Sequence, residues 1–194
     1  QIGNNHLSGR LRWESKTQRP VLSGTLFAES LSFNDSEMSS KPASNGTKNG
    51  LLDTPFNLEV LNAFDAQLDI TVKNVANSTI PVSDIGSMVT LISGKLSAPF
   101  RTNLAGVPIE GQVQLRRNNN TTEVLFNATA KKIDAGSTLR QMNVSDFITG
   151  TADSLQLKAS STGETLRSLF ERAALTLQLK PTNLSYPLQV AGQT

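Results

Sequence analysis

The chain has 194 residues, 18 basic and 16 acidic, for a net charge of +2, with one histidine and no cysteine. Zero cysteines exclude disulfides, thiolate metal sites and cysteine nucleophiles, and His6 alone cannot build a multi-histidine centre. Two net charges spread over this length give no basic stripe for a nucleic acid, so that class of partner is set aside.

Ser, Thr and Asn make up more than a quarter of the chain, and aromatic residues only 5%. That composition favours strands and turns over long charged helices. At this length one domain, or two small ones, buries a core unaided. No run of 18 apolar residues is present, and Gln1 to Arg12 lacks the basic-then-apolar order of a signal peptide. The expectation is a piece cut from a longer chain, with any anchor or targeting signal outside it.

In chain order, Leu7, Gly9, Leu11 and Trp13 alternate with Ser8, Arg10 and Arg12, the two-residue period of a strand with one apolar face. Arg19-Pro20 marks a turn, because proline fixes φ and donates no ladder hydrogen bond. A second strand spans residues 21–33. These 33 residues form a leading strand pair. The stretch 34–53, rich in Ser, Lys, Asn and Gly through residue 50, has no apolar period and reads as a mobile polar linker. The main body then runs from 54 to 194.

That body opens on a short helix over 55–62, where Thr54 caps, Pro55 takes the first helical position, and Leu58 and Leu61 fall three apart. The clearest alternation follows: Phe64, Ala66, Leu68, Ile70 and Val72 against Asp65, Gln67, Asp69 and Thr71. Further strands are expected over 81–85, 87–96, 100–104, 109–117 and 122–133. Turns are expected at Gly86, at Ala98-Pro99, at Gly106-Val107-Pro108 and at Asn118 to Asn120, which makes adjacent strands antiparallel neighbours. A weak helix over 137–142 precedes a strand over 149–160. A helix over 163–173 then carries Leu166, Leu169, Phe170 and Ala173 on one face. Leu175, Leu177 and Leu179 alternate in a last clear strand.

The fold class is therefore mainly β: long antiparallel strands in an extended, twisted and curled sheet, an open groove or a flattened barrel-like form, with two or three short capping helices. Strands of about ten residues exceed the usual five or six.

Residues able to carry chemistry are few. Asp65 and Asp69 share a strand face, but four residues of strand place them roughly 13 Å apart, too far to share a proton. Glu110, Glu123, Asp134, Asp146 and Asp153 are scattered without ligand spacing. No nucleophile elbow and no glycine-rich phosphate cradle occurs. Catalytic residues, metal ligands and cofactors are all expected to be absent. Eight Asn-X-Ser/Thr sequons occur, a number that a chain this rich in those residues generates by composition.

What remains is the apolar stripe. In a closed sandwich it fills a core; in a long sheet that does not close it lines an apolar groove for helices, another protein or acyl chains. The groove residues are Phe64, Ala66, Leu68, Ile70, Val72, Val113, Leu115, Val124, Phe126, Leu155, Leu157, Leu175, Leu177 and Leu179. The competing readings are a structural or interaction module that binds partners by a sheet edge or the polar loop, and a carbohydrate-binding sandwich. The last needs exposed aromatic rings for sugars to stack on, and Trp13 and Tyr186 are the only Trp and Tyr.

The order of pieces resembles the AsmA family of bacterial envelope proteins, and in particular the C-terminal region of its members, over most of the chain. Leu7-Ser8-Gly9-Arg10-Leu11, Arg19-Pro20, Leu22-Ser23-Gly24-Thr25-Leu26 and Leu31-Ser32-Phe33 are similar to its paired strands before the linker. Pro55-Phe56 and then Leu61 to Ile70 resemble its short helix running into an LDAxLD strand. Gly150 to Leu157 and Gly163 to Leu169 resemble its later strand and following helix. The chain departs from the family pattern at Ala98-Pro99-Phe100, at Leu104 to Pro108, and from Leu184 to Val190. The resemblance implies a non-enzymatic, β-rich periplasmic body, anchored to the inner membrane through a segment outside this chain. It further implies support of outer-membrane assembly and integrity, phospholipid as the partner conducted along an apolar groove, and envelope assembly proteins as possible further partners.

Overall fold

A computed structural model describes residues 6–15, 19–32, 62–76, 78, 80–118, 121–142 and 149–185. The strands are β1 (Leu7–Glu14), β2 (Val21–Ser32), β3 (Asp65–Ala76), β4 (Val82–Ile92), β5 (Lys95–Leu104), β6 (Val107–Asn118), β7 (Thr121–Asp134), β8 (Thr149–Gly163) and β9 (Ala174–Ser185). Two short helices, α1 (Ala135–Gln141) and α2 (Leu166–Glu171), connect β7 to β8 and β8 to β9.

All nine strands form one sheet in sequence order, β1 and β9 are its edges, and it does not close into a barrel. The leading pair is part of this sheet, because β2 lies beside β3. Every neighbouring pair is antiparallel except β2–β3, which is parallel. A parallel pair cannot be joined by a tight turn and needs a long crossover. The chain from residue 33 to residue 64 supplies it.

Period-two alternation and register together place most of the apolar residues on one face. One row of directly opposed residues crosses all nine strands: Gly9, Leu26, Ile70, Ser87, Phe100, Gly111, Ala128, Leu157 and Leu177. A second row crosses eight strands: Trp13, Leu22, Ala66, Leu91, Leu96, Leu115, Val124 and Ser161. The rows between them carry Arg10, Thr25, Asp69 and Met88, and Ser97, Gln114, Leu125 and Ser160, which face the other way.

The tightest packing lies at one end of this face, where Val107, Ala130, Ile133 and Ala152 are buried together with Ile109 and Leu155 against them. Two backbone irregularities flank that end. Asp84 and Lys132 take φ of 52° and 54°, and the β4–β5 register slips between Ser83 and Gly86. Asp84 also lies 3.6 Å from Lys73 in an exposed ion pair.

Several local expectations are corrected. Gly86 lies inside β4, at the slip, and does not end a strand. The real turn is Ser93-Gly94, where φ values of 50° and 77° close a two-residue hairpin within the segment expected to be continuous strand. Ala98-Pro99 lies inside β5. Proline lacks the amide hydrogen, and the β4–β5 pairing lapses between the Ser87–Phe100 and Thr90–Ser97 pairs, so the strand passes through without a forced bond. The β5–β6 turn is Ala105-Gly106, with Val107 and Pro108 already in β6.

The helices are α1 at Ala135–Gln141, capped by Asp134 whose Oδ1 accepts from the Ser137 amide, and α2 at Leu166–Glu171. They replace the expected spans of 137–142 and 163–173. Of the helix expected at 55–62, only Asn62 is described, and it is helical together with Ala63. The polar linker 34–53, Tyr186, and most of the stretch from Leu184 to Val190 lie outside the described residues.

Candidate functional site: an open apolar sheet face

Ala66, Leu68, Ile70, Val72, Val113, Leu115, Val124, Phe126, Leu155, Leu157, Leu175, Leu177 and Leu179 all fall on one face, the face of the row through Ile70 and Leu157. Phe64 precedes β3, and its ring meets Trp13 of the edge strand with centroids 5.8 Å apart. The face also holds Leu7, Leu11, Leu22, Leu26, Leu91, Leu96, Phe100 and Ile109, which the sequence-based set left out. For most of these the missing signal was available, since they obey the same alternation. Phe100 was hidden behind the proline expected to turn the chain.

Among the described residues both helices pack on the β7–β8 side of the sheet, α1 against β7 and β8 and α2 against β8. A Cβ added to Gly163 would run into Ser168 Oγ and stand 3.0 Å from the Leu169 amide, so α2 rests where that glycine leaves room. Leu169 is buried there, and its carbonyl accepts from Ser161 Oγ at 2.5 Å. No second sheet covers the remainder among the described residues. Apolar side chains stay exposed at both edges: Trp13 at 55% and Leu11 at 59% on β1, Leu175 at 66% and Leu177 at 61% on β9. Each Å² of apolar surface left in water forfeits about 25 cal/mol. Between the edges the large apolar side chains of the face, such as Ile70, Phe100, Phe126 and Leu157, are half-buried.

The centre of the face has a distinct relief. Phe100 and Phe126, on β5 and β7, stack with centroids 5.7 Å apart and planes 21° from parallel. They meet across β6 because Gly111 stands between them; a Cβ there would lie 2.5 Å from the Phe100 ring. No charged residue enters the nine-strand row. Its single hydroxyl, Ser87 Oγ, is buried without a hydrogen bond.

The opposite face is mostly polar, though Phe27, Met88 and Ile92 are exposed on it. Asp65 and Asp69 do not act as a pair. Asp65 Oδ1 accepts from Arg19 Nε at 3.1 Å and from the Ser93 amide at 2.9 Å, which ties the start of β3 to the β4–β5 turn. Asp69 instead lines a hollow of about 540 Å³ with Met88, Pro99, Arg101 and Glu110. A second hollow, of about 300 Å³, is lined by Leu125, Asn127, Lys158 and Thr176 on that same side. Arg116 and Glu123 form a two-pronged bridge at 2.6 and 3.1 Å. Hydrogen bonding from Arg116 holds the Glu123 carboxyl below its ordinary range. Among the described residues no three His, Asp or Glu side chains gather as a metal site, and no helix is long and apolar enough to cross a membrane.

Comparison with protein families, with characterised proteins and with solved structures finds no match to this chain.

Proposed function

We propose that this chain is a non-enzymatic module of the bacterial periplasm, anchored to the inner membrane through a segment outside it, that shelters or conducts phospholipid acyl chains along its apolar sheet face in support of outer-membrane assembly and integrity. The observation that carries the reading is the uncharged row from Gly9 to Leu177 across nine strands, over which no second sheet lies among the described residues. Acyl chains are long, apolar and without hydrogen-bonding groups. They fit a surface that offers only side-chain methyls and rings and asks for no polar partner. The resemblance of residues 7–33, 61–70 and 150–169 to the AsmA family supports the compartment and the substrate class.

The test places a photo-activatable residue singly at Leu68 or Val113 on the apolar face and at Gln67 or Gln112 on the polar face of the full chain in its native envelope. Phospholipid adducts are expected from the first pair only, and Leu68→Asp with Ile70→Asp removes adducts from Val113. Equal labelling from both faces, or labelling unchanged by the two aspartates, overturns the assignment.

A second reading, partner binding by strand addition, draws on the outer sides of β1 and β9, which no described strand pairs. In that case Gln178→Pro on β9 abolishes partner capture and leaves lipid labelling intact.

A further inference from the structure

We propose that in water without lipid two copies of this chain close their apolar faces on one another, as the two sheets of a sandwich related by a two-fold axis. This goes beyond the lipid reading and stands or falls separately from it.

Area is the first argument. With ~4.8 Å between strands and ~3.3 Å per residue along them, nine strands present roughly 1,200 Å² per copy, and the six strands β1 to β6, against which neither described helix packs, present roughly 800 Å². A stable, specific interface needs about 800 Å² per partner, so these six strands suffice with both helices left where they are. Stacked sheets stand about 10 Å apart, which side chains of Leu, Ile and Phe size fill from both sides.

The edges supply the second argument. A sheet with two free edges has another way to associate, β1 of one copy beside β9 of the next, and that contact never closes on itself. Both edges carry features that oppose it. β1 presents Arg10, and Arg12 paired with Glu14 at 2.8 Å, and β9 presents Lys180 followed by Pro181, which has no amide hydrogen to give a new neighbour. Edge-to-edge association brings Arg10 of one copy and Lys180 of the next, which carry the same sign, onto one ribbon, whereas the face-to-face arrangement brings uncharged rows together. The face that stays open is the one without such protection.

The test is sedimentation equilibrium of the delipidated chain over a wide concentration range, with circular dichroism to check folding of each variant. A species of twice 20.9 kDa is expected at high concentration. Ile70→Asp is expected to abolish it, and Gln178→Pro at the edge to leave it unchanged. Because the chain has no cysteine, single Val113→Cys and Gln112→Cys variants add a reading that does not depend on a disruptive change. Maleimide labelling of Val113→Cys is expected to slow as the chain dimerises, and labelling of Gln112→Cys to stay constant. A monomer at every concentration, a dimer that Gln178→Pro breaks, or equal labelling of the two cysteines overturns the proposal.

Adding a short-chain phosphatidylcholine below its micelle concentration separates the two readings. Conversion of dimer to lipid-bound monomer supports both. A dimer indifferent to lipid supports the pairing and counts against the lipid reading, and lipid binding by a chain that never dimerises does the reverse.

Discussion

Phe100 and Phe126 stack across a strand to which neither belongs, and Gly111 of that strand is the reason they can. A glycine inside a sheet weakens it unless something covers the bare backbone, and an aromatic ring laid over it is a known remedy. Gly111→Ala places a methyl where the Phe100 ring lies. The expected cost is about 1–3 kcal/mol, the range for overpacking, read as a lower urea midpoint with unchanged slope. A double-mutant cycle of Phe100→Ala and Phe126→Ala should return a coupling of about 0.5–1.5 kcal/mol. Coupling near zero would mean that the two rings act independently.

Asp65 is expected to matter to the fold and not to chemistry. Its Oδ1 collects the Arg19 guanidinium and the Ser93 amide, so one carboxylate fastens the only parallel junction of the sheet to a hairpin whose Ser93 has positive φ. The groups are about a third exposed or less, so screening reduces the ion pair and the amide hydrogen bond dominates. Asp65→Ala should cost about 1–2 kcal/mol, as loss of a charge-assisted bond does, and Asp65→Asn less. Hydrogen exchange at the Ser93 amide reads the effect directly: faster exchange in Asp65→Ala is expected, and unchanged exchange would show that the contact contributes nothing.

These two sites also show what the sequence discloses and what it withholds. The apolar face was legible because period two is a local property: Ala66 to Val72, Val113 with Leu115, and Leu175 to Leu179 each announce their own face, and register then aligns them. Turns were legible only where composition and geometry agree. Pro99 resembles a strand end, but its missing amide falls where the β4–β5 ladder lapses, so the strand continues and carries Phe100 into the face. Ser93-Gly94 looks unremarkable within an apolar run, yet it supplies the two positive φ angles of the hairpin. The parallel β2–β3 pair depends on residues far apart in the chain, and its only local trace is the length of the stretch before Asp65. Whether the face would be covered could not be read locally, since that depends on the whole sheet failing to close.

The Arg116–Glu123 bridge predicts a small, signed pH dependence. Hydrogen bonding from Arg116, assisted by its charge and opposed by desolvation, lowers the Glu123 pKa in the folded chain. A depressed carboxylate stabilises the fold above the ordinary glutamate range and loses that contribution as pH falls through the folded value. The Arg116 pKa is raised, far above any working pH, so it adds no second window. NMR titration of the Glu123 carboxyl should give a midpoint below that of glutamate in peptides, and Arg116→Gln should raise it to the peptide value or above, since desolvation then acts alone. Because the pair faces solvent, high salt should do much the same. A wild-type midpoint at the peptide value would remove the bridge from the folded state in solution.

Thr122 offers the opposite kind of test, a change expected to stabilise. It is fully buried, paired across β7–β8 with Gly163, and its Oγ1 makes no hydrogen bond. A buried hydroxyl without a partner carries its desolvation cost uncompensated, about 1–3 kcal/mol in protein mutational series. Valine keeps nearly the same volume and the β-branched shape that suits a strand while discarding the polar atom. Thr122→Val should therefore raise the urea midpoint. For a chain of this length, about 1 kcal/mol corresponds to roughly 2–4 °C in melting temperature. Ser87→Ala applies the same reasoning at the centre of the apolar face, where the unpartnered Oγ lies between Ile70 and Phe100. Loss of stability in Thr122→Val would instead reveal that its hydroxyl is bonded in solution, and water held beside Gly163 at the foot of α2 would be the first partner to seek.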